Sequence, residues 1–204
     1  MNKSPAICQH EFHTEIKAYL QHINFAQNCY SAYKALYENI QNNDCVLNNA
    51  VGFFTITQYA LSKCLLIELA KLFCGSNKER TISKLINIVQ AQQDKFDKGK
   101  VLPICEKYKV KLEECDPIIA KLKARRDQDL THNDPIFFFG DCNPAKINYI
   151  SLNDCEELIN LVYNLCRELL DCLPTFDTIC LNYGADDLNK FIDTIKKSGC
   201  FDKQ

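Results

Sequence analysis

Apolar residues recur at steps of three and four along most of this chain, and the pattern stops in few places. Over Glu11–Ile40, the positions Ile16, Leu20, Ile23, Tyr30, Tyr33, Leu36, Tyr37 and Ile40 carry the helical period, with no proline or glycine between them. The spacing predicts one long helix or two nearly continuous ones, then an Asn-rich polar turn over Gln41–Asp44. A second long helix is predicted over Val46–Cys74. Its apolar positions Phe53, Ile56, Tyr59, Ala60, Leu66, Ile67, Ala70 and Phe73 form a broad surface, so it reads as central and buried on several sides. Gly75 follows directly and fits a C′ stop. Ser76–Arg80 reads as a short charged loop.

Thr81 is the expected N-cap of a shorter helix over Ile82–Gln93, whose apolar side is Leu85, Ile86 and Val89. Lys84 stands where a capping-box acid would sit. Asp94–Lys100 reads as a loop, and Pro103 as the first position of a segment continuing through Ile104–Glu114. Asp116-Pro117 is a new start, with Asp as cap and Pro at the first helical position. The segment Ile118–Thr131 then runs to Asn133-Asp134-Pro135, where the residue before proline is pushed out of the helical region. Ile136–Ile150 is irregular, and Phe137-Phe138-Phe139 reads as a lid on the core. Asn153–Leu170 is a helix capped by Asn153 with Glu156, and its stripe is Leu158, Leu161, Val162, Leu165 and Leu169. Pro174 closes it, and Asp186–Lys197 is a last amphipathic helix ended by Gly199. The fold class is therefore all-α: a bundle of about five to seven helices with two long N-terminal helices. It forms a single domain over 1–204, with a core at about 10–172 and a helical C-terminal appendage at 173–204.

Composition narrows the function classes. Hydrophobic residues make up 47% of the 204, enough for a real core. Six glycines and six prolines are too few for an all-β chain of many tight turns. A net charge of -2 gives no global basic field, so any nucleic-acid site has to be a local basic spot. The thirteen cysteines are odd in number and never spaced C-x-x-C, which is neither a disulfide framework nor a zinc knuckle. Met1–Gln9 shows no signal-peptide pattern, and no apolar run reaches membrane length. The expectation is a cytoplasmic protein with no membrane partner, using cysteines as small buried hydrophobes. His10-Glu11-Phe12-His13 misses the H-E-x-x-H spacing by one residue, and Cys8, His10 and His13 find no evident fourth ligand. Neither a metal nor any other cofactor is expected.

Candidate chemistry gathers in Ala124–Asp134, which crowds two arginines, three aspartates and a histidine. On a regular helix Ile119, Leu122, Arg126 and Leu130 share one face, so Arg126 lies in an apolar stripe. A guanidinium there has to be paired, snorkelled or held for a ligand. Arg125 lies on a more polar side. His132 would share a face with Arg125, but Asn133-Asp134-Pro135 lets the last turn unwind and aim it elsewhere. Spacing leaves both arginines as partners for His132. Two readings stand: Arg and His complementing a helix C-terminus, or a functional site.

Arg126-Asp127-Gln128-Asp129-Leu130-Thr131-His132 resembles the R-x(4–6)-H motif of HEPN domains (higher eukaryote and prokaryote nucleotide-binding). In that motif a polar residue commonly follows the arginine, as Asp127 does. Arg125 also satisfies the loose spacing. Asn133-Asp134 looks like the H-x-D ending of the abortive-infection (phage-defence) branch, and Leu66–Ile86 is similar to that branch's long helix, short loop and small helix. The resemblance covers roughly residues 10–172. Gln128 stands where that branch often has lysine, and Thr131 where a small residue is common. The resemblance implies a HEPN-like helical bundle and a homodimer whose motif helices meet in a composite cleft. It also implies metal-independent endoribonuclease activity of a toxin or phage-defence effector. Arg126 and His132 would be catalytic with Asp127 orienting one of them, and Arg125, Asn133 and Asp134 would help bind RNA. Two alternatives stand beside it. One is a non-catalytic HEPN module binding nucleotide, RNA or an antitoxin protein. The other is a purely structural bundle in which Arg126 neutralises Asp127 or Asp134.

Overall fold

Buried apolar stripes on successive helices meet in one core. The computed structural model describes residues 9–41, 50–75, 79–130 and 144–173, together with positions 190, 193, 194 and 197. Among them there are helices and short connections, with no strand. The helices are α1 (Gln9–Gln41), α2 (Val51–Phe73), α3 (Ile82–Ala91), α4 (Lys98–Glu114), α5 (Asp116–Arg125), the short α6 (Pro144–Ile147) and α7 (Leu152–Leu170). A 3₁₀ turn, Gln93–Lys95, precedes α4, and a π-helical turn, Arg126–Leu130, continues α5. Among the described residues the fold is an all-α bundle. No described helix is long and apolar enough to cross a membrane.

The long α1 is a single helix, and it packs along both α2 and α7. Phe12, Ile16 and Ile23 from α1 meet Leu65, Leu69 and Leu72 from α2 and Leu158, Val162 and Leu165 from α7, all buried. Helix α4 closes the side with Tyr108, whose hydroxyl donates to Glu168 Oε1 at 2.9 Å. Burial pushes the Glu168 carboxyl up, but the hydrogen bonds from Lys107 and Tyr108 outweigh it and leave the group below its ordinary value. All eight described cysteines are free thiols, and all but Cys64 are buried. They serve as small hydrophobes.

Helix α2 is not buried along its whole length. Phe53, Ile56 and Tyr59 are 64%, 71% and 61% exposed, against the sequence expectation of a central helix. Only the C-terminal half, from Leu65 on, is surrounded. The N-terminal half has a small satellite cluster of Leu36 and Phe54 beside the end of α1. A broad apolar surface on a helix identifies a face that wants burial; how far its neighbours extend decides whether it is buried.

Helix boundaries follow their caps. Thr81 caps α3 as expected, its side chain accepting from the Lys84 N–H. Helix α7 starts two residues before the expected Asn153: Ser151 is the N-cap and Asp154 completes a reciprocal capping box, so Asn153 already lies in the first turn. Pro103 is inside α4 and not at its start, because Asp97 caps the helix earlier by accepting from Gly99 N–H at 3.1 Å. Pro103 is exposed, which spares the core its missing hydrogen bond. The break at Asp116-Pro117 separates α4 from α5, with Cys115 and not Asp116 in the cap position. The Gln41–Asp44 turn beyond Gln41, a start at Val46 and the Phe137-Phe138-Phe139 lid lie outside the described residues. So does most of Asp186–Lys197, of which Lys190, Asp193, Thr194 and Lys197 are helical.

Candidate functional site

The end of α5 changes pitch at the candidate arginine. Helix α5 stops at Arg125, and Arg126–Leu130 winds as a π turn. The regular 100° step used to place Arg126, Leu130 and His132 on faces therefore ends at Arg125. Single π turns widen a helix by one residue per turn and recur at functional sites. Buried Leu122 lies one turn before Arg126 and seats the segment on the core. Both α5 and the π turn pack against α2.

The Arg126 side chain is 27% exposed and held by its neighbour. Its Nε donates to Asp127 Oδ1 at 2.7 Å, and Nη2 lies 2.7 Å from the same oxygen. That hydrogen bond raises the arginine above its ordinary pKa, so it stays a cation. Arg125 is half-buried beside it. Gln128 accepts from Asn148 Nδ2 at 3.1 Å, tying the π turn to the segment before α7. His132, Asn133 and Asp134 lie outside the described residues.

Arg126 lines a groove of about 520 Å³ together with His22, Ile67, Ala70, Lys71, Cys74, Glu79 and Arg80. A neighbouring groove of about 460 Å³ shares His22, Lys71 and Arg80 and runs along α1 past Glu11, Glu15 and Tyr19. Sequence reasoning missed these three side chains. Lys71 and Arg80 stand in the Leu66–Ile86 stretch, whose pattern marked a helix, loop and helix without marking a site. His22 carries no local signal, because its partner Glu68 is 46 positions away. The local basic spot is thus wider than the motif stretch.

Close chain packing gathers these groups. A Cβ built on Gly75 would sit 2.5 Å from Thr81 Cγ2 and 2.7 Å from Glu79 Oε2. The glycine permits a tight return of the chain after α2. The Tyr19 hydroxyl donates to the Thr81 carbonyl at 3.2 Å and pins that return against α1. Arg80 is thereby brought beside Glu15, with Nη1 3.2 Å from Oε1.

Glu68 is the one charged side chain buried among the described residues. Lys71 Nζ donates to its Oε1 at 2.6 Å, and His22 Nδ1 lies 3.0 Å from its Oε2. Burial pushes the carboxyl up, but these hydrogen bonds prevail and hold it below its ordinary value. A carboxyl lowered on folding contributes stability above its unfolded pKa, and that contribution is lost as pH falls through the folded one. Glu68→Gln is expected to flatten the acid limb of a melting temperature against pH curve below about pH 4.5. Identical limbs for the two proteins would show that the carboxylate is not coupled to folding. Burial pushes the thiol of Cys74, in the same groove, up to about 11, which disfavours the reactive thiolate.

The family model described as AbiU2, of the HEPN type, matches residues 10–191. The chain belongs to the AbiU2 family of HEPN proteins. No curated protein and no solved structure matches it. The AbiU2 match covers α1 through α7, and so includes both the Arg126 turn and the helices that line its groove. The chain is accordingly a HEPN module of the abortive-infection branch.

Proposed function

We propose that this AbiU2-family module is a metal-independent endoribonuclease acting as a toxin or phage-defence effector. The observation that carries the reading is Arg126: a permanent cation, fixed by Asp127 at 2.7 Å, at the edge of a groove that also presents His22, Lys71 and Arg80. Such a fork suits the extra negative charge that builds on phosphorus during transesterification. In that reaction the RNA 2′-oxygen forms a bond to the adjacent phosphorus and the bond from phosphorus to the 5′-oxygen breaks. The 2′-hydroxyl proton leaves to a base, and the departing 5′-oxygen gains a proton. The products are a 2′,3′-cyclic phosphate and a free 5′-hydroxyl. His132, five residues beyond Asp127, is the residue of the motif suited to move those protons near neutral pH. Arg125, Asn133 and Asp134 are assigned to RNA contacts beside it.

Self-association belongs to the same reading. Val51, Phe53, Ile56 and Tyr59 make an exposed apolar face on α2, of the kind that supports a contact between proteins. A homodimer would bring two motif turns into one assembly. An antitoxin protein is the further partner that a toxin of this kind would need.

The test is RNA cleavage in excess chelator, with end-group analysis of the products and light scattering for the mass. Expected are cyclic-phosphate and 5′-hydroxyl ends, undiminished by chelator, from a particle of twice the chain mass. Products ending in 5′-phosphate, or activity abolished by chelator, would overturn the mechanism. Binding of RNA without turnover would favour the non-catalytic module.

A further inference from the structure

The basic side chains around His22 are arranged in a way that the Arg126 motif does not require. Three of them, His22, Lys71 and Arg80, line both grooves, so they stand where one groove continues into the other. Each is paired with a carboxylate lying deeper than itself. The Glu68 side chain is 12% exposed, whereas its partners His22 and Lys71 are 50% and 52% exposed. Glu15 is 13% exposed and its partner Arg80 is 59% exposed. The acids lie beneath and the nitrogen-bearing side chains stand in front. A ligand entering the groove therefore meets N–H donors first, on side chains whose positions the buried acids hold in advance. Glu11, Glu15 and Glu79 also line the grooves, so the basic side chains stand among acids and form no broad basic face.

We infer that His22, Lys71 and Arg80 form a second phosphate subsite, which takes an RNA backbone phosphate next to the one at Arg126. The inference rests on the endonuclease reading for its ligand, and it assigns the subsite to binding and not to bond breaking. A strand lying from Arg126 into the groove along α1 would place successive phosphates on successive cations. The mostly apolar floor between them, including Ala18 and Leu72, would accept sugar edges or bases.

The test is binding of a single-stranded 2′-O-methyl oligoribonucleotide, which cannot be cleaved, to wild type and to Lys71→Gln/Arg80→Gln. Anisotropy is measured across a salt series. The wild type should bind at least about tenfold more tightly at low salt. The plot of log affinity against log salt should be shallower by roughly 1.4 in the double variant, the share of two lost phosphate contacts on a single strand. Unchanged affinity and an unchanged salt slope would overturn the subsite. Should losing both cations unfold the chain, as read by circular dichroism, Arg80→Gln alone serves, with half the slope change expected. If wild type fails to cleave any RNA, the endonuclease reading falls, while the binding comparison still decides the subsite.

Discussion

His132→Ala is expected to slow RNA cleavage by about 10²–10⁴-fold, the usual loss when a proton-transfer side chain is removed. Arg126→Ala is expected to cost about 10²–10³-fold, the scale of one donor withdrawn from a developing oxyanion. The two losses should not add, because in the proposed mechanism both residues act on one transition state. Arg126→Lys sharpens the test. Lysine keeps the charge but lacks the planar fork, so the double contact with Asp127 Oδ1 cannot be rebuilt and only part of the activity should return. Asp127→Asn should fall between wild type and Arg126→Ala, since the amide oxygen can still accept from Nε but no longer carries the charge. The measurement is single-turnover cleavage of a labelled RNA, with melting curves to show each variant folded. Wild-type rates for both alanine variants would remove Arg126 and His132 from the mechanism. The pair of Arg126 with Asp127 would then be read as structural.

Leu122→Ala is expected to be the most damaging substitution outside the motif. Leu122 is fully buried on α5, one turn before Arg126, where α5 packs against α2. Truncating a buried leucine removes transfer free energy and leaves a cavity, at about 2–5 kcal/mol. For a chain of this size that corresponds to a melting temperature lower by roughly 5–15 °C. Activity at a temperature where the variant is still folded should fall too, because the π turn carrying Arg126 is seated by that packing. Ile56→Ala is the contrasting control: Ile56 is 71% exposed, and its loss should leave the melting temperature of the chain nearly unchanged. A melting temperature for Leu122→Ala within two degrees of wild type would show that the α5 seat contributes little.

Much of the fold is legible in the residue pattern. Helix α1 could be traced nearly to its ends because its apolar residues keep one period over thirty-three residues without a breaker. Thr81 and the Asp116-Pro117 break act within one turn of chain, and so could be read locally. Capping was read less well at α7. Asn153 with Glu156 has the cap spacing, but Ser151 with Asp154 has it two residues earlier, and the backbone uses Ser151. Pro103 misled for a similar reason, since a proline marks a helix start only when no stronger cap lies upstream.

The site divides along the same line. Arg126, Asp127 and His132 are neighbours in the chain, so a motif could point to them before any fold was known. Family membership rests on that same sequence, through the match over residues 10–191. What the chain determined by itself was a helical bundle, its apolar stripes at steps of three and four and one conspicuous turn, because those are local properties. Tertiary structure alone decided three other things. It wound Arg126–Leu130 as a π turn, which voided the helical-wheel placement of its side chains. It left the first half of α2 exposed, because among the described residues no other helix extends far enough to cover it. And it set His22 against Glu68, and Arg80 against Glu15, across separations of 46 and 65 residues, at which no spacing in a sequence carries information.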